Sequence, residues 1–148
     1  MKLVFYVILS AVLISSEYSD RYYNFMDKGI KMFDSCETEQ DFLQASNYFY
    51  RISQVVKTDW LSSYYYAYTN TSLSMMQEDN DLKEEYLDKA LNILAPFDTL
   101  KTSSPDSIAM SEIYTLRAMI YVGKIFINPM INGMKYGPLS EQNLEKAK

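Results

Sequence analysis

Apolar residues recur at alternating steps of three and four along most of this sequence, which is the spacing of one face of an α-helix. No segment of the 148-residue sequence shows a convincing alternation of apolar and polar residues, which is the pattern of a half-buried strand. The repeating positions are Tyr22, Phe25, Met26 and Phe33, then Phe42, Ala45, Phe49, Ile52 and Val56, then Leu61, Tyr64, Tyr68, Thr71 and Met75. The sequence therefore predicts an all-α protein.

Short polar side chains mark the starts of the predicted helices, because their oxygens accept hydrogen bonds from the first backbone N–H groups. A first helix is predicted from Tyr18 to about Asp34. The predicted caps are Thr38 with Asp41 three residues on for the second helix, Asp59 for the third, and Asp81 with Glu84 for the fourth.

Proline and glycine divide the second half of the chain. Pro96 stops the fourth helix, and a long fifth helix runs from about Ser107 to Ile127, where Asn128-Pro129 ends it. Met130–Pro138 holds two glycines and a proline, so it is predicted to be an ordered loop. Ser140 then caps a short last segment. The prediction is stacked antiparallel helical hairpins with about five full helices and a partial sixth.

Residues 1–16 have the pattern of a secretory signal peptide. One lysine precedes Leu3–Ile14, which is apolar except for Tyr6 and Ser10, and two serines follow. The apolar run is shorter than the roughly 20 residues that a transmembrane helix needs. We expect an exported, periplasmic or envelope-associated domain over residues 17–148, without stable membrane insertion after cleavage. The alternative is a buried first helix of the fold.

Composition excludes several function classes. The chain has no histidine and one cysteine, Cys36, so it can form neither a histidine-based catalytic group nor an internal disulfide. Its formal net charge is −5, and removal of residues 1–16 takes away a lysine and no acid. An acidic chain without a basic cluster is poorly suited to bind nucleic acid. We expect no metal site, no cofactor and no enzymatic activity.

Alanines near the middle of each helical stripe resemble those of tetratricopeptide (TPR) hairpins, in which a small residue lets the neighbouring helix approach closely. The alanines are Ala45, Ala67, Ala90, Ala118 and Ala147. Trp60, Tyr64 and Ala67, followed by Leu87-Asp88-Lys89-Ala90 in the partner helix, resemble one TPR hairpin. Glu112–Ala118, followed by Leu144–Ala147, resemble the next one.

The segment from about Glu37 to Lys148 also resembles exported, TPR-like proteins of Gram-negative envelopes, mostly without assigned function. The resemblance rests on Lys57–Trp60, on the tyrosine-rich helix after it, on Ser111–Tyr114, and on Asn128–Met130 with Lys135–Pro138. It implies a helical-repeat fold and an interaction role, and it implies no catalytic residues.

Five residues are candidates for contact with a partner. Tyr65 and Tyr66 are the more exposed members of a tyrosine cluster, although core or hairpin packing explains that cluster as well. Arg117, in an otherwise apolar stretch, binds a partner's carboxylate or forms a structural ion pair with a neighbouring helix. Lys135 and Tyr136 lie in the predicted loop, which either contacts a ligand or covers the end of a hairpin.

Two functions are left open by the sequence. The first is a non-enzymatic scaffold or adaptor that binds a protein or peptide partner in the envelope. The alternative is a small-ligand-binding protein or an enzyme that uses carboxylate and tyrosine groups. We favour the first, since the acids lie mostly at helix starts. Because the last segment ends in register at Lys148, we also expect the chain to continue beyond that residue. The alternative is that this segment docks onto the Ser107–Ile127 helix and forms the cap of the stack itself.

Overall fold

The computed structural model of the protein describes residues 20–57, 59–98 and 107–148, and six α-helices lie within those ranges. No strand occurs within those ranges, so the predicted all-α fold class is confirmed. The predicted signal segment lies outside the described residues. The helices are α1 over residues 20–34, α2 Glu39–Val55, α3 Trp60–Met76, α4 Asn80–Leu94, α5 Ser107–Ile127 and α6 Pro129–Lys146, with a 3₁₀ turn Ala95–Asp98 after α4.

The predicted caps of α2 and α3 are confirmed. Thr38 accepts from the backbone N–H of Asp41, whose carboxylate accepts from the backbone N–H of Thr38 in return. The hydroxyl of Thr38 and the backbone N–H groups of Thr38 and Glu37 lower the pKa of Asp41 by hydrogen bonding to its charged form. Asp59 accepts from the backbone N–H of Ser62 and starts α3.

The predicted start of α4 is wrong by two residues. Asp79, rather than Asp81, is the cap, and its carboxylate accepts from the backbone N–H of Leu82 at 2.9 Å. Asp81 lies instead in the first turn, where a negative charge faces the positive end of the helix dipole. Asp79 and Asp81 are both suitable cap residues, and in the structure the helix begins after the first of them.

The predicted loop Met130–Pro138 is also wrong, because these residues belong to α6. Pro129 is at the first helical turn, where its missing N–H costs no hydrogen bond, and Asn128 caps the helix through Ile131. Ser140, predicted to be a cap, is a buried residue inside the helix. Pro138 lies within the helix on its exposed side. The partial sixth helix is therefore a full one of 18 residues.

Hydrogen bonds along its length explain why α6 stays helical despite its glycines and proline. Asn132 donates to the carbonyl of Lys124 at 2.7 Å, Ser140 donates to that of Ala118 at 3.2 Å, and Ser111 donates to that of Ala147 at 2.5 Å. The packing of α6 against α5 thus outweighs a weak local helix propensity.

Two apolar clusters lie on opposite sides of α3. On one side, α1 and α2 surround Met26, Ala45 and Phe49, and Tyr65 and Tyr66 pack against that cluster. On the other side, α3 meets α4 and α5. The buried members of this second cluster are Ala67, Leu87, Ala90, Leu94, Phe97, Ile113, Leu116 and Ile120.

Small residues let the helices approach one another, as the alanine pattern predicted. Ala45, Ala67, Ala90 and Ala118 are all at most 1% exposed, and Ala147 is half-buried. Gly29 makes a similar contact. A Cβ atom at residue 29 would lie 2.7 Å from Cε1 of Phe49, so α1 can pack this closely on α2 only with glycine there.

We predict opposite effects for two glycine-to-alanine substitutions. Gly29→Ala should lower the free energy of unfolding by about 1–2 kcal/mol, because overpacking against the fully buried Phe49 outweighs the gain in helix propensity. Gly133→Ala meets no atom within 4 Å and should raise that free energy by about 0.5–1 kcal/mol. Urea denaturation measures both, and a stabilising Gly29→Ala would contradict the α1–α2 packing.

Candidate functional site

A half-open apolar groove of about 560 Å³ runs over α5. Met75 at the end of α3 borders it on one side, and Leu144 of α6 borders it on the other. Its floor includes Met119, Val122 and Phe126 of α5. We call this surface the α5 groove. Lys83 of α4 is the one charged residue among those that line it.

The exposed side chains of α5 follow a regular spacing. From Ile108 onward, every exposed residue of this helix lies on one stripe, at steps of four, three, four, three and four. They are Ile108, Glu112, Thr115, Met119, Val122 and Phe126. This is the spacing with which one helix faces another across a packed seam. Phe126 is 77% exposed, so a large apolar side chain of that seam faces solvent.

The rest of α5 is covered by its neighbours. Ile113, Leu116 and Ile120 face the cluster shared with α3 and α4. Ala118 lies beneath Ser140 of α6, and Tyr121 stacks on Tyr136 of α6 with ring centroids 5.9 Å apart. A largely apolar helix thus has three covered sides and one open side, and the part of the open side from Thr115 to Phe126 is the groove floor.

Lys124 carries a buried positive charge that sequence analysis missed. Its Nζ lies 2.6 Å from Asp88 and 3.4 Å from Glu84, both on α4, and its side chain is 2% exposed. Burial alone would lower the pKa of Lys124, but the hydrogen bond and charge of Asp88, with Tyr136 and Glu84, raise it. The signal was available, since Glu84 and Asp88 are four residues apart on one helix face.

Tyr65 and Tyr66, predicted to contact a partner, are half-buried against α1 and α2. The ring of Tyr65 stacks on Phe49 with centroids 4.9 Å apart, and that of Tyr66 lies 5.2 Å from Tyr50. Burial is the main cause of the raised pKa of each phenol. These rings therefore contribute mainly to packing between α3 and the α1–α2 pair.

Arg117 is 5% exposed and lies between α4 and α5. Its guanidinium donates to the carbonyl oxygen of Leu94, at the end of α4, and lies 5.8 Å from the ring centroid of Tyr114. A positive charge at the carboxyl end of a helix is favourable, because the exposed carbonyls there carry partial negative charge. The contacts of Arg117 thus join the end of α4 to α5.

Lys135 and Tyr136 lie side by side on α6, where the Nζ of Lys135 is 4.7 Å from the Tyr136 ring centroid. Tyr136 is 9% exposed, and the Nζ of Lys124 lies 5.4 Å from its ring centroid. Lys135 is exposed. The five predicted residues consequently do not form one site: two face α1 and α2, one joins α4 to α5, and two belong to α6.

Two tyrosine–carboxylate hydrogen bonds fasten other helices to α3. Tyr22 of α1 donates to Asp59, the cap of α3, and Tyr64 of α3 donates to Glu112 of α5 at 3.3 Å. Burial is the main cause of the strongly raised pKa of both phenols, and the neighbouring carboxylates add to it. Both tyrosines therefore remain hydrogen-bond donors at neutral pH.

Tyr22→Phe should reduce the free energy of unfolding by about 1–2 kcal/mol, since it removes a partly buried hydrogen bond to a charged acceptor. Because the folded-state pKa of Tyr22 is raised, its contribution is complete below the unfolded-state value of about 10 and decreases as the pH rises above it. Urea unfolding at pH 7 and at pH 10.5 measures both effects.

The matched control for this substitution is Tyr23→Phe, at a neighbouring ring that is 65% exposed. Its effect should stay within about 0.5 kcal/mol. Equal effects of the two substitutions would contradict a stabilising bond between Tyr22 and Asp59.

None of the described helices is long and apolar enough to cross a membrane. Within residues 20–57, 59–98 and 107–148, no three cysteine, aspartate or glutamate side chains are grouped so that they could hold a metal ion. No protein-family model, curated protein or solved structure matches the chain.

Proposed function

We propose that this protein is a non-enzymatic scaffold that binds an amphipathic helix of a protein or peptide partner in the α5 groove. The observation that carries this proposal is the stripe of exposed residues on α5, which has the spacing of a helix–helix seam. A partner helix with apolar residues at steps of three and four would continue the packing that already covers the other sides of α5.

The composition of the groove supports the same proposal. Met75 and Met119 are 65% and 40% exposed, and methionine adapts its unbranched side chain to partners of different shape. Phe126, near the end of the stripe, offers a large apolar anchor of the type that dominates binding energy at interfaces. A stack of TPR-like hairpins, which the alanine pattern favours, commonly presents such an extended binding surface.

Phe126→Glu tests the site. The wild-type protein, immobilised, should capture a partner from bacterial envelope extract, and the variant should bind the isolated partner helix at least tenfold more weakly, because burying a phenylalanine contributes about 1.5–3 kcal/mol. Mass spectrometry identifies the partner, and fluorescence anisotropy with its labelled helix measures the affinity.

Met134→Glu is the matched control, since Met134 is 80% exposed and does not line the groove. It should bind as the wild type does. A partner that is retained equally by Phe126→Glu and Met134→Glu would show that binding occurs elsewhere on the protein.

We also propose that the protein is exported to the envelope of a Gram-negative bacterium. When the native gene is expressed in such a host, the mature protein should begin near Glu17 in the periplasmic fraction. Leu9→Arg, which places a charge in the apolar run, should leave the protein in the cytosol with Met1 in place. Mass spectrometry of the intact protein decides, and a wild-type cytosolic protein that retains Met1 would refute export.

A further inference from the structure

A second apolar groove, of about 400 Å³, lies between α1 and α2 and takes no part in the proposed function. We call it the α1–α2 groove. Val55 is 70% exposed and Phe25 is 55% exposed, so much of its apolar surface is open to solvent. Its lining includes Phe25, Ile52, Val55 and Val56, together with Arg21 and Arg51.

The positive charges of this groove are unusual for this chain. The protein contains three arginines among 148 residues, and two of them, Arg21 and Arg51, line this one groove from opposite helices. None of the residues that line it is acidic. Within the described part of the chain, Arg51 is exposed and no carboxylate pairs with it. In a chain of net charge −5, a groove lined by arginine and by no acidic residue is a local site that favours an anion.

The type of cation and the remaining polar groups narrow the choice of ligand. Arginine's planar guanidinium binds a carboxylate through two parallel hydrogen bonds, which lysine cannot do. The two phenols at the groove already donate elsewhere, Tyr22 to Asp59 and Tyr48 to the carbonyl of Phe25 at 3.3 Å. A suitable ligand is therefore apolar except for one acidic end.

We propose that the α1–α2 groove binds a single-chain anionic amphiphile, namely an alkyl carboxylate of the fatty-acid class. The alkyl chain lies on Phe25, Ile52 and Val55, and the carboxylate is bound by the exposed guanidinium of Arg51. An extended peptide fits less well, because its backbone N–H and C=O groups would lie without partners on an apolar floor.

Isothermal titration with dodecanoate, below the concentration at which it forms micelles, tests the proposal. The wild-type protein should bind one dodecanoate per chain. Dodecyltrimethylammonium, which has the same tail and the opposite charge, should bind at least about tenfold more weakly, and acetate, which has no tail, should show no saturable binding. Equal affinity for the two amphiphiles would overturn the proposal, since it would mean apolar adsorption without recognition of the carboxylate.

Variants locate the site. Arg51→Gln should weaken dodecanoate binding at least about tenfold. Arg51→Lys should have an intermediate effect, because lysine keeps the positive charge but cannot form the two parallel hydrogen bonds of a guanidinium. Val55→Asp should also weaken binding by placing a negative charge beside the tail. Val55 and Arg51 are both exposed, so the variants should fold, which circular dichroism checks.

Lys89→Gln, at an exposed ion pair with Glu85 on α4, is the control and should bind as the wild type does. Unchanged affinity in Arg51→Gln would refute the site, as would equal losses in Arg51→Gln and Lys89→Gln. If dodecanoate does not bind while an acidic amphipathic peptide binds in an Arg51-dependent manner, the groove is a protein-docking surface and the proposal is wrong.

Discussion

Burial of α3 on both of its sides is the contact on which the rest of the structure depends. One side packs on α1 and α2, where Tyr65 stacks on Phe49, and the other packs on α4 and α5 around Ala67. A helix enclosed in this way has little room for charge. The buried hydroxyls of Thr69 and Thr71 donate to backbone carbonyls one turn earlier in the same helix, so these two groups need no partner elsewhere.

The open sides of the helices follow from the same stacking. In a stack of helices each helix is covered only by its neighbours, so a side that no neighbour reaches stays open to solvent. On α5 the uncovered stripe is apolar except for Glu112 and Thr115 and has the period of a helical seam, which supports a partner that is itself helical. Between α1 and α2 the uncovered surface is also apolar, but it is bordered by Arg21 and Arg51. The two grooves therefore differ in the chemistry that they select.

The residues of the candidate site could be recognised in the sequence, but their contacts could not. The tyrosine cluster and Arg117 were recognised as unusual residues, yet their partners could not be read from the chain. Arg117 meets the carbonyl of Leu94, 23 residues away, and Lys124 meets Asp88 on another helix. The α5 groove could not be predicted from the sequence, because the apolar pattern of α5 is the same whether neighbouring helices cover all of its sides or leave one side open.

The sequence by itself determined the all-α class, the bounds of α5 and the caps of α2 and α3, because these depend on apolar period and on hydrogen bonds that span a few residues. Tertiary structure decided that Met130–Pro138 is helical. Its glycines and proline predict a loop, but contact with α5 along the whole of α6, including the bond from Ser140 to Ala118, outweighs that local preference. Burial and partners likewise depend on residues that are distant in sequence, and only the packed helices bring these together.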